Sequence, residues 1–343
     1  MNRHSNRLDL GDKAMQSEGR VAALAEGALM AALTVVLVLT GYFIPFLQVL
    51  TNIIWTVPIV VLIVRRDLRL GIMATFVAGL AISFFTGPIN GALLFSQFAA
   101  LGLVYGYLFK NNARPGPILA AGAIVSLLSL LLNLGLTSWL TGLPLGGLLQ
   151  EFEAAVNYTM DFYHRTGMLE HMGGQGMTLE QLQATFAGMI DLLRLLLPGI
   201  LISAAILAAF VNYLVAAKIL QRLGLANRQL PPFRYWQLPW YFIWGVIAGL
   251  GLWQLGDYYG LDLASRAGVN ILYVYLPLLA GNGLAAVSFI FYHWKIASFL
   301  KAALAVFALL NLPVACTALV AVGLFDPFLS YRRRLQPPAG KGE

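Results

Sequence analysis

The sequence predicts an all-α protein, a polytopic integral membrane helical bundle of about eight to nine transmembrane segments. Three observations carry this. Hydrophobic residues make up 59% of the 343 and charged residues only 11%, where a soluble domain carries about a quarter charged residues. The mean hydropathy is +0.76. Val21 to Phe43 is an almost unbroken apolar run, long enough at about 1.5 Å per residue to cross a hydrocarbon core roughly 30 Å thick.

Residues 1–20 are polar and mixed in charge (Arg3, Arg7, Asp9, Asp12, Lys13, Glu18, Arg20). They read as a solvated cytoplasmic tail with no cleavable signal peptide, ahead of a first helix that stays in the membrane. Nine apolar segments follow, at about 21–43, 48–64, 70–86, 91–109, 116–140, 193–217, 238–256, 269–293 and 302–325. The breaks between them carry turn and charge signals: Pro45, then Arg65-Arg66-Asp67-Leu68-Arg69, Gly87-Pro88, and Lys110 through Pro117. Lys and Arg collect in alternate connections. These are the N-terminal tail, the turns at 65–69 and 110–115, the 218–236 loop (Lys218, Arg222, Arg228, Arg234) and Lys295 with Lys301. By the positive-inside rule these connections and the N-terminus are cytoplasmic, in the plasma membrane. Nine full spans would then export Arg332-Arg333-Arg334; either the tail is exported against the rule, or 302–325 breaks at Asn311-Leu-Pro313 into a re-entrant pair, the reading that keeps the 326–343 tail cytoplasmic.

The connection at about 142–192 is the one sizeable non-membrane segment and falls outside the cell. Leu148, Leu149, Phe152, Val156, Thr159, Phe162 and Tyr163 recur at helical spacing, with Glu151, Glu153 and Asp161 on other faces. Gly173-Gly-Gln-Gly176 reads as a hinge, and Thr178 with Gln181 as a capping box for a second amphipathic helix. Both helices are expected to lie on the outer surface or to lid a cavity.

Charge and cysteine content exclude several classes. The net charge of +7 comes from short basic loops between apolar runs, which orient helices rather than bind nucleic acid. Cys316 is the single cysteine, so neither an intramolecular disulfide nor a multi-cysteine metal site is expected. His-Glu-x-x-His, Walker and Gly-x-Ser-x-Gly signatures are missing from the sequence; no enzyme activity and no cofactor are expected. Met160, Met168, Met172, Met177 and Met189 with His164 and His171 offer soft-metal ligand types. Their spacing fits gap-filling methionines on an amphipathic helix better, and no metal is expected.

The candidate binding residues are polar groups within apolar runs. Unpaired amides are costly in hydrocarbon, so each must pair with another amide, with backbone or with a ligand. Asn52, Trp55, Asn90, Gln97, Asn133 and Asn282 are the candidate solute-binding residues, with Asn212, Gln254, Asn270 and Asn311 as further amides at membrane depth. Gly281-Asn282-Gly283, four residues after Pro277, either opens a helix and exposes carbonyls or marks a packing kink. Glu26, one turn inside the first helix, is either a functional carboxylate or an interfacial group that snorkels beside Arg20. Gly27, Ala28, Ala31 and Ala32 form two overlapping small-xxx-small pairs, repeated by Gly102/Gly106 and Gly245/Gly249. Such pairs serve internal helix packing or, for the first helix, docking of a partner subunit.

Three blocks together resemble the YybS-like family of bacterial polytopic membrane proteins. They are Glu26-Gly-Ala-Leu-Met-Ala-Ala-Leu with Pro45, Pro58 and Leu70-Gly71; Leu230-Pro-Pro-Phe-Arg-Tyr-Trp-Gln-Leu-Pro239; and Asn282-Gly-Leu-Ala-Ala-Val with Gly323-Leu-Phe-Asp326 ahead of Tyr331-Arg-Arg-Arg334. More distantly, 21–217 resembles the substrate-binding S components of energy-coupling-factor vitamin transporters, in which an early Ala-x-x-x-Ala on the first helix meets the coupling subunit. Ala28 and Ala32 match that pattern. The chain departs from that group in its 142–192 insertion and in its C-terminal segments at 237–325. The resemblance implies an S-component-like core that binds or helps transport a small solute, with a coupling subunit and ATPase as partners besides the lipid bilayer. The alternative is a non-catalytic scaffold for cell-envelope or division proteins. A solute site predicts that the amides and Trp55 line one cavity; a scaffold predicts that they pair off.

Overall fold

The computed structural model describes residues 3–142, 147–166, 179–225, 231–329 and 332. Every regular element among them is helical. The helices are α1 (Arg3–Phe43), α2 (Gln48–Ile54), α3 (Val57–Arg65), α4 (Leu68–Thr86), α5 (Pro88–Lys110) and α6 (Pro115–Thr141). After these come α7 (Gly147–Arg165), α8 (Leu179–Arg222), α9 (Ile243–Tyr258), α10 (Asp262–His293), α11 (Ser298–Leu310) and α12 (Leu312–Leu329), with single 3-10 turns at Pro45–Leu47, Phe233–Tyr235 and Trp240–Phe242. Among the described residues, seven helical stretches are long and apolar enough to cross a membrane, or eight if α11 and α12 count as one. The protein is thus an all-α multi-pass membrane bundle.

Several boundaries differ from the sequence reading. The helix of the first span already begins at Arg3, well inside the polar tail. The second amphipathic helix and the sixth span are one continuous helix, α8, with Pro198 inside it. The segment at 238–256 is reduced to α9, which has 16 residues and at about 1.5 Å per residue reaches only ~24 Å, short of a full crossing. Trp236 through Pro239 ahead of it are extended, because Pro231, Pro232 and Pro239 cannot continue a helix ladder. The Gly173–Gly176 hinge, Thr178, Met168, Met172, Met177 and His171 lie outside the described residues.

The chain forms two compact units, one of residues 1–147 with 204–230 and one of residues 148–203 with 231–343. In the first unit, α3 is the central element: Val57 through Ile63 are all buried. A helix apolar on every side belongs inside a bundle rather than at its lipid face. Val57, Val60 and Val61 meet Leu101 and Tyr105 of α5, Ile118 of α6, and Tyr213, Ala216 and Leu220 of α8. Ile59, Leu62 and Ile63 meet Ala31, Ala74 and Ala78 of α1 and α4. Local signals set the ends: Asp67 caps α4 by accepting from the Leu70 N–H at 2.7 Å. Gly87, at φ +85°, turns the chain into Pro88 at the start of α5. Gly106 and Gly71 lie against Ile63, so the Gly102/Gly106 stripe serves internal packing.

In the second unit, α9 and α10 form a close antiparallel pair joined by Tyr259-Gly260-Leu261. Gly256 and Gly268 face backbone of the opposite helix, and Gly245 and Gly249 sit beneath Tyr275 and Leu272. Helix α10 runs through Pro277 and the Gly281-Asn282-Gly283 segment as one helix, so that segment is not opened. Instead Gly283 and Gly323 bring α10 and α12 into backbone contact. Helices α11 and α12 are bent by 113° at Asn311, whose ψ of 51° leaves the helical region. Ser298 follows His293 by five residues, while Arg332 bonds the carbonyls of Arg234, Trp236 and Asn282. Tyr235 lies on Phe289 and Arg234 on Tyr292. The chain enters the α11–α12 pair just past the His293 end of α10 and leaves it with Arg332 beside the 231–239 segment.

Candidate functional site

The amides singled out by their depth form separate hydrogen-bonded staples. In the first unit the hub is Asn212 on α8, which is buried. Its Oδ1 accepts from the Thr56 hydroxyl at 2.9 Å, and its Nδ2 donates to the carbonyls of Asn52 at 3.2 Å and Ala208 at 3.0 Å. This places Asn212 at the Trp55-Thr56 break between α2 and α3, where Pro58 supplies no N–H to the ladder. Asn52 enters through its main-chain carbonyl only. Nearby, Tyr105 donates to the Ala209 carbonyl at 2.7 Å. Asn133 joins α6 to α5 through the Leu93 carbonyl at 3.0 Å and the Ser96 hydroxyl at 3.4 Å. Asn90 donates to the Tyr42 hydroxyl at 3.2 Å and the Thr86 carbonyl at 3.0 Å. Gln97 is on the exposed side of α5. Trp55 is buried against Phe98 with Val38 and Ile82. In the first unit, Asn90, Asn133, Trp55 and the Asn52 carbonyl each have separate partners. A shallow apolar groove of about 160 Å³ lined by Phe76, Gly79, Leu80, Ser83, Ala92 and Phe95 includes none of them.

Asn270 in the second unit does the same work at Pro198. Its Oδ1 accepts the Gly199 N–H at 2.7 Å, and its Nδ2 donates to the carbonyls of Leu195 and Arg266, each at 2.8 Å. Both ends of the Leu195–Gly199 rung, next to the proline, are thus bonded from a neighbouring helix. The outer helix α7 is tied to α8 by Arg194, which pairs with Glu153 and lies 3.6 Å from Asp191.

The densest polar cluster was not legible as one site. Asp326, at the end of α12, and Arg332 are 0% and 2% exposed at their side chains. Arg332 Nε donates to Asp326 Oδ1 at 2.8 Å and Nη2 lies 2.8 Å from Oδ2. Nη1 donates to the Trp236 carbonyl at 2.7 Å and the Arg234 carbonyl at 3.3 Å, and Nη2 to the Asn282 carbonyl at 3.1 Å. The guanidinium thus donates four hydrogen bonds and pairs with Oδ2 besides. Asn282 completes the cluster by donating to the Gly323 carbonyl at 2.8 Å and accepting from the Leu238 N–H at 3.2 Å. The second and third sequence blocks, 230–239 and 282–287 with 323–334, meet here. The site joins three chain segments and balances its buried charge within itself.

On α1, Gly27 and Ala31 are buried while Ala28 and Ala32 are exposed. Gly27 meets Leu70 at the start of α4. Glu26 reaches the basic turn rather than Arg20: Arg66 Nε donates to Oε2 at 2.6 Å. Arg65 Nη1 is 2.9 Å from Oε1, an approach too oblique for a hydrogen bond. Lys110 caps the same turn at the Arg66 carbonyl. Among the residues whose side chains are described, no group of three or more His, Cys, Asp or Glu could hold a metal ion.

The family model described as "Predicted membrane protein (DUF2232)" matches residues 32–327. The chain belongs to this family. The DUF2232 match takes in Trp55, the amides and Asp326, while Glu26 to Ala31 and Arg332 lie beyond its ends. No curated protein and no solved structure matches the chain.

Proposed function

We propose that this DUF2232 protein is a non-catalytic membrane scaffold that works through the surfaces it offers to lipid and to other membrane proteins, such as those of cell-envelope or division machinery. The observation that carries this is the saturation of its deep polar groups. Asn133, Asn212, Asn270 and Asn282 each spend their amides on neighbouring helices. In hydrocarbon such bonds hold helices in register, and an amide already satisfied has little to give a solute. The distribution of Lys and Arg supports a plasma-membrane location with a cytoplasmic N-terminus, since Arg65, Arg66 and Lys110 gather with Glu26 at one end of the first unit.

A second reading, a transporter subunit similar to an S component or the YybS-like proteins, is favoured by one observation. Of the four small residues on α1, the inner pair is used within the chain, and Ala28 and Ala32 of the Ala-x-x-x-Ala pattern remain on the outer side. Extraction from native membranes in mild detergent, followed by native mass spectrometry, separates the two. The scaffold reading expects protein partners without a stoichiometric small solute. The transporter reading expects a solute or an ATPase–coupling complex, lost in Ala28→Leu with Ala32→Leu. A retained solute would overturn the scaffold.

A further inference from the structure

Among the described residues, Arg234 is a cation without an ion-pair partner. Its guanidinium lies 3.7 Å from the Tyr292 ring centroid, a cation–π seat, and 5.1 Å from that of Tyr235. Its Nε is buried with no hydrogen-bond partner. Nearby, the Asp326 carboxylate is taken up by Arg332. The unit's other described ion-paired carboxylates, Glu153, Asp161 and Asp191, belong to α7 and α8. That region meets α10 around Asn270, about 33 Å along the helix from Tyr292 at 1.5 Å per residue. Lys295, three residues past Tyr292, adds a second positive charge.

The loop that carries Arg234 is built, not adventitious. Its carbonyl and that of Trp236 hold Arg332, the Trp236 indole donates to the Pro231 carbonyl at 2.8 Å, and Leu238 is bonded to Asn282. Around it Trp240, Tyr241, Trp244, Tyr292 and Trp294 are exposed. Aromatic residues of this kind gather where hydrocarbon gives way to headgroups, so Arg234 sits at phosphate depth. A guanidinium fork matches phosphate oxygens bidentately.

We propose that Arg234, seated on Tyr292 at the α10 end of the second unit, binds the phosphate of an anionic phospholipid headgroup. The unbalanced charge of Arg234 and Lys295 favours an anionic lipid over a zwitterionic one. One cation near a membrane surface changes lipid binding by about fivefold. The test uses the full chain in detergent with equal amounts of phosphatidylglycerol and phosphatidylcholine, read by native mass spectrometry. The wild type is expected to keep phosphatidylglycerol preferentially, Arg234→Gln to lose about fivefold of that retention, and Arg234→Lys to lose less. Tyr292→Leu, which spares the carbonyls that hold Arg332, is expected to show the same loss and replaces Arg234→Gln should that variant fail to fold. Retention unchanged in these variants would overturn the proposal. Displacement of phosphatidylglycerol by inorganic phosphate at equal concentration would also overturn it, by assigning the site to a free anion.

Discussion

Arg332→Met is expected to destabilise the second unit by about 3–5 kcal/mol, because it strands the Asp326 carboxylate with no exposed surface and no cation. Asn282 Nδ2, 3.5 Å from Oδ2, is too distant and uncharged to replace the guanidinium. The same change also frees the Arg234, Trp236 and Asn282 carbonyls, so the 231–239 segment should loosen from α10. Thermal unfolding in detergent, followed by loss of the monodisperse species, would show a large drop for Arg332→Met and for Asp326→Leu. The double variant should recover much of the loss, since a buried pair replaced on both sides by apolar groups costs far less than a half-removed pair. Equal and additive losses would mean that the two residues act separately.

Gly323→Val should be as damaging. A Cβ there would fall on the Leu279 carbonyl oxygen, and one at Gly283 on the Leu319 carbonyl. Overpacking a core costs about 1–3 kcal/mol when side chains can give way; here the obstacle is backbone, so the effect should reach ~3 kcal/mol or more. Gly281, on α10 two residues before Gly283, is the control: a Cβ there meets nothing within 4 Å. Gly281→Ala should raise stability by about 0.4–1 kcal/mol through the unfolded chain. The paired measurement is the melting temperature of the two variants; a tolerated Gly323→Val would refute the close crossing.

How much of this was legible follows from the range of each interaction. Composition and run length alone specify the membrane bundle, because apolar length is a local property. The bend at Asn311-Leu-Pro313 was readable for the same reason, a helix-breaking signal inside a run that the charge rule would not let cross. The shortening of 238–256 to α9 was not, since Leu238, Trp240, Tyr241 and Phe242 are apolar enough to pass as helix until Pro239 is weighed. The amides announced themselves by depth, yet their partners lie far along the chain: Thr56 is 156 residues from Asn212 and Gly199 is 71 from Asn270. No spacing rule reaches that far. Arg332 read as one of three basic anchors, and its six-residue separation from Asp326 matches no helical contact; only the folded chain shows it turned inward. Likewise Gly27, Ala28, Ala31 and Ala32 form two equivalent stripes in sequence, and it is Leu70 beside Gly27 that makes one stripe internal.

The central claim, that the deep amides are staples rather than ligand-binding groups, is tested most directly by Thr56→Val combined with Asn212→Leu. Removing Asn212 alone leaves the Thr56 hydroxyl buried and unpaired, a cost of about 1–3 kcal/mol, whereas the double variant avoids that cost and leaves only the Asn52 carbonyl without its donor. The account predicts that the double variant melts closer to the wild type than Asn212→Leu does and carries the same set of co-purified proteins in native mass spectrometry. A double variant that stays folded but sheds a stoichiometric small solute held by the wild type would contradict it.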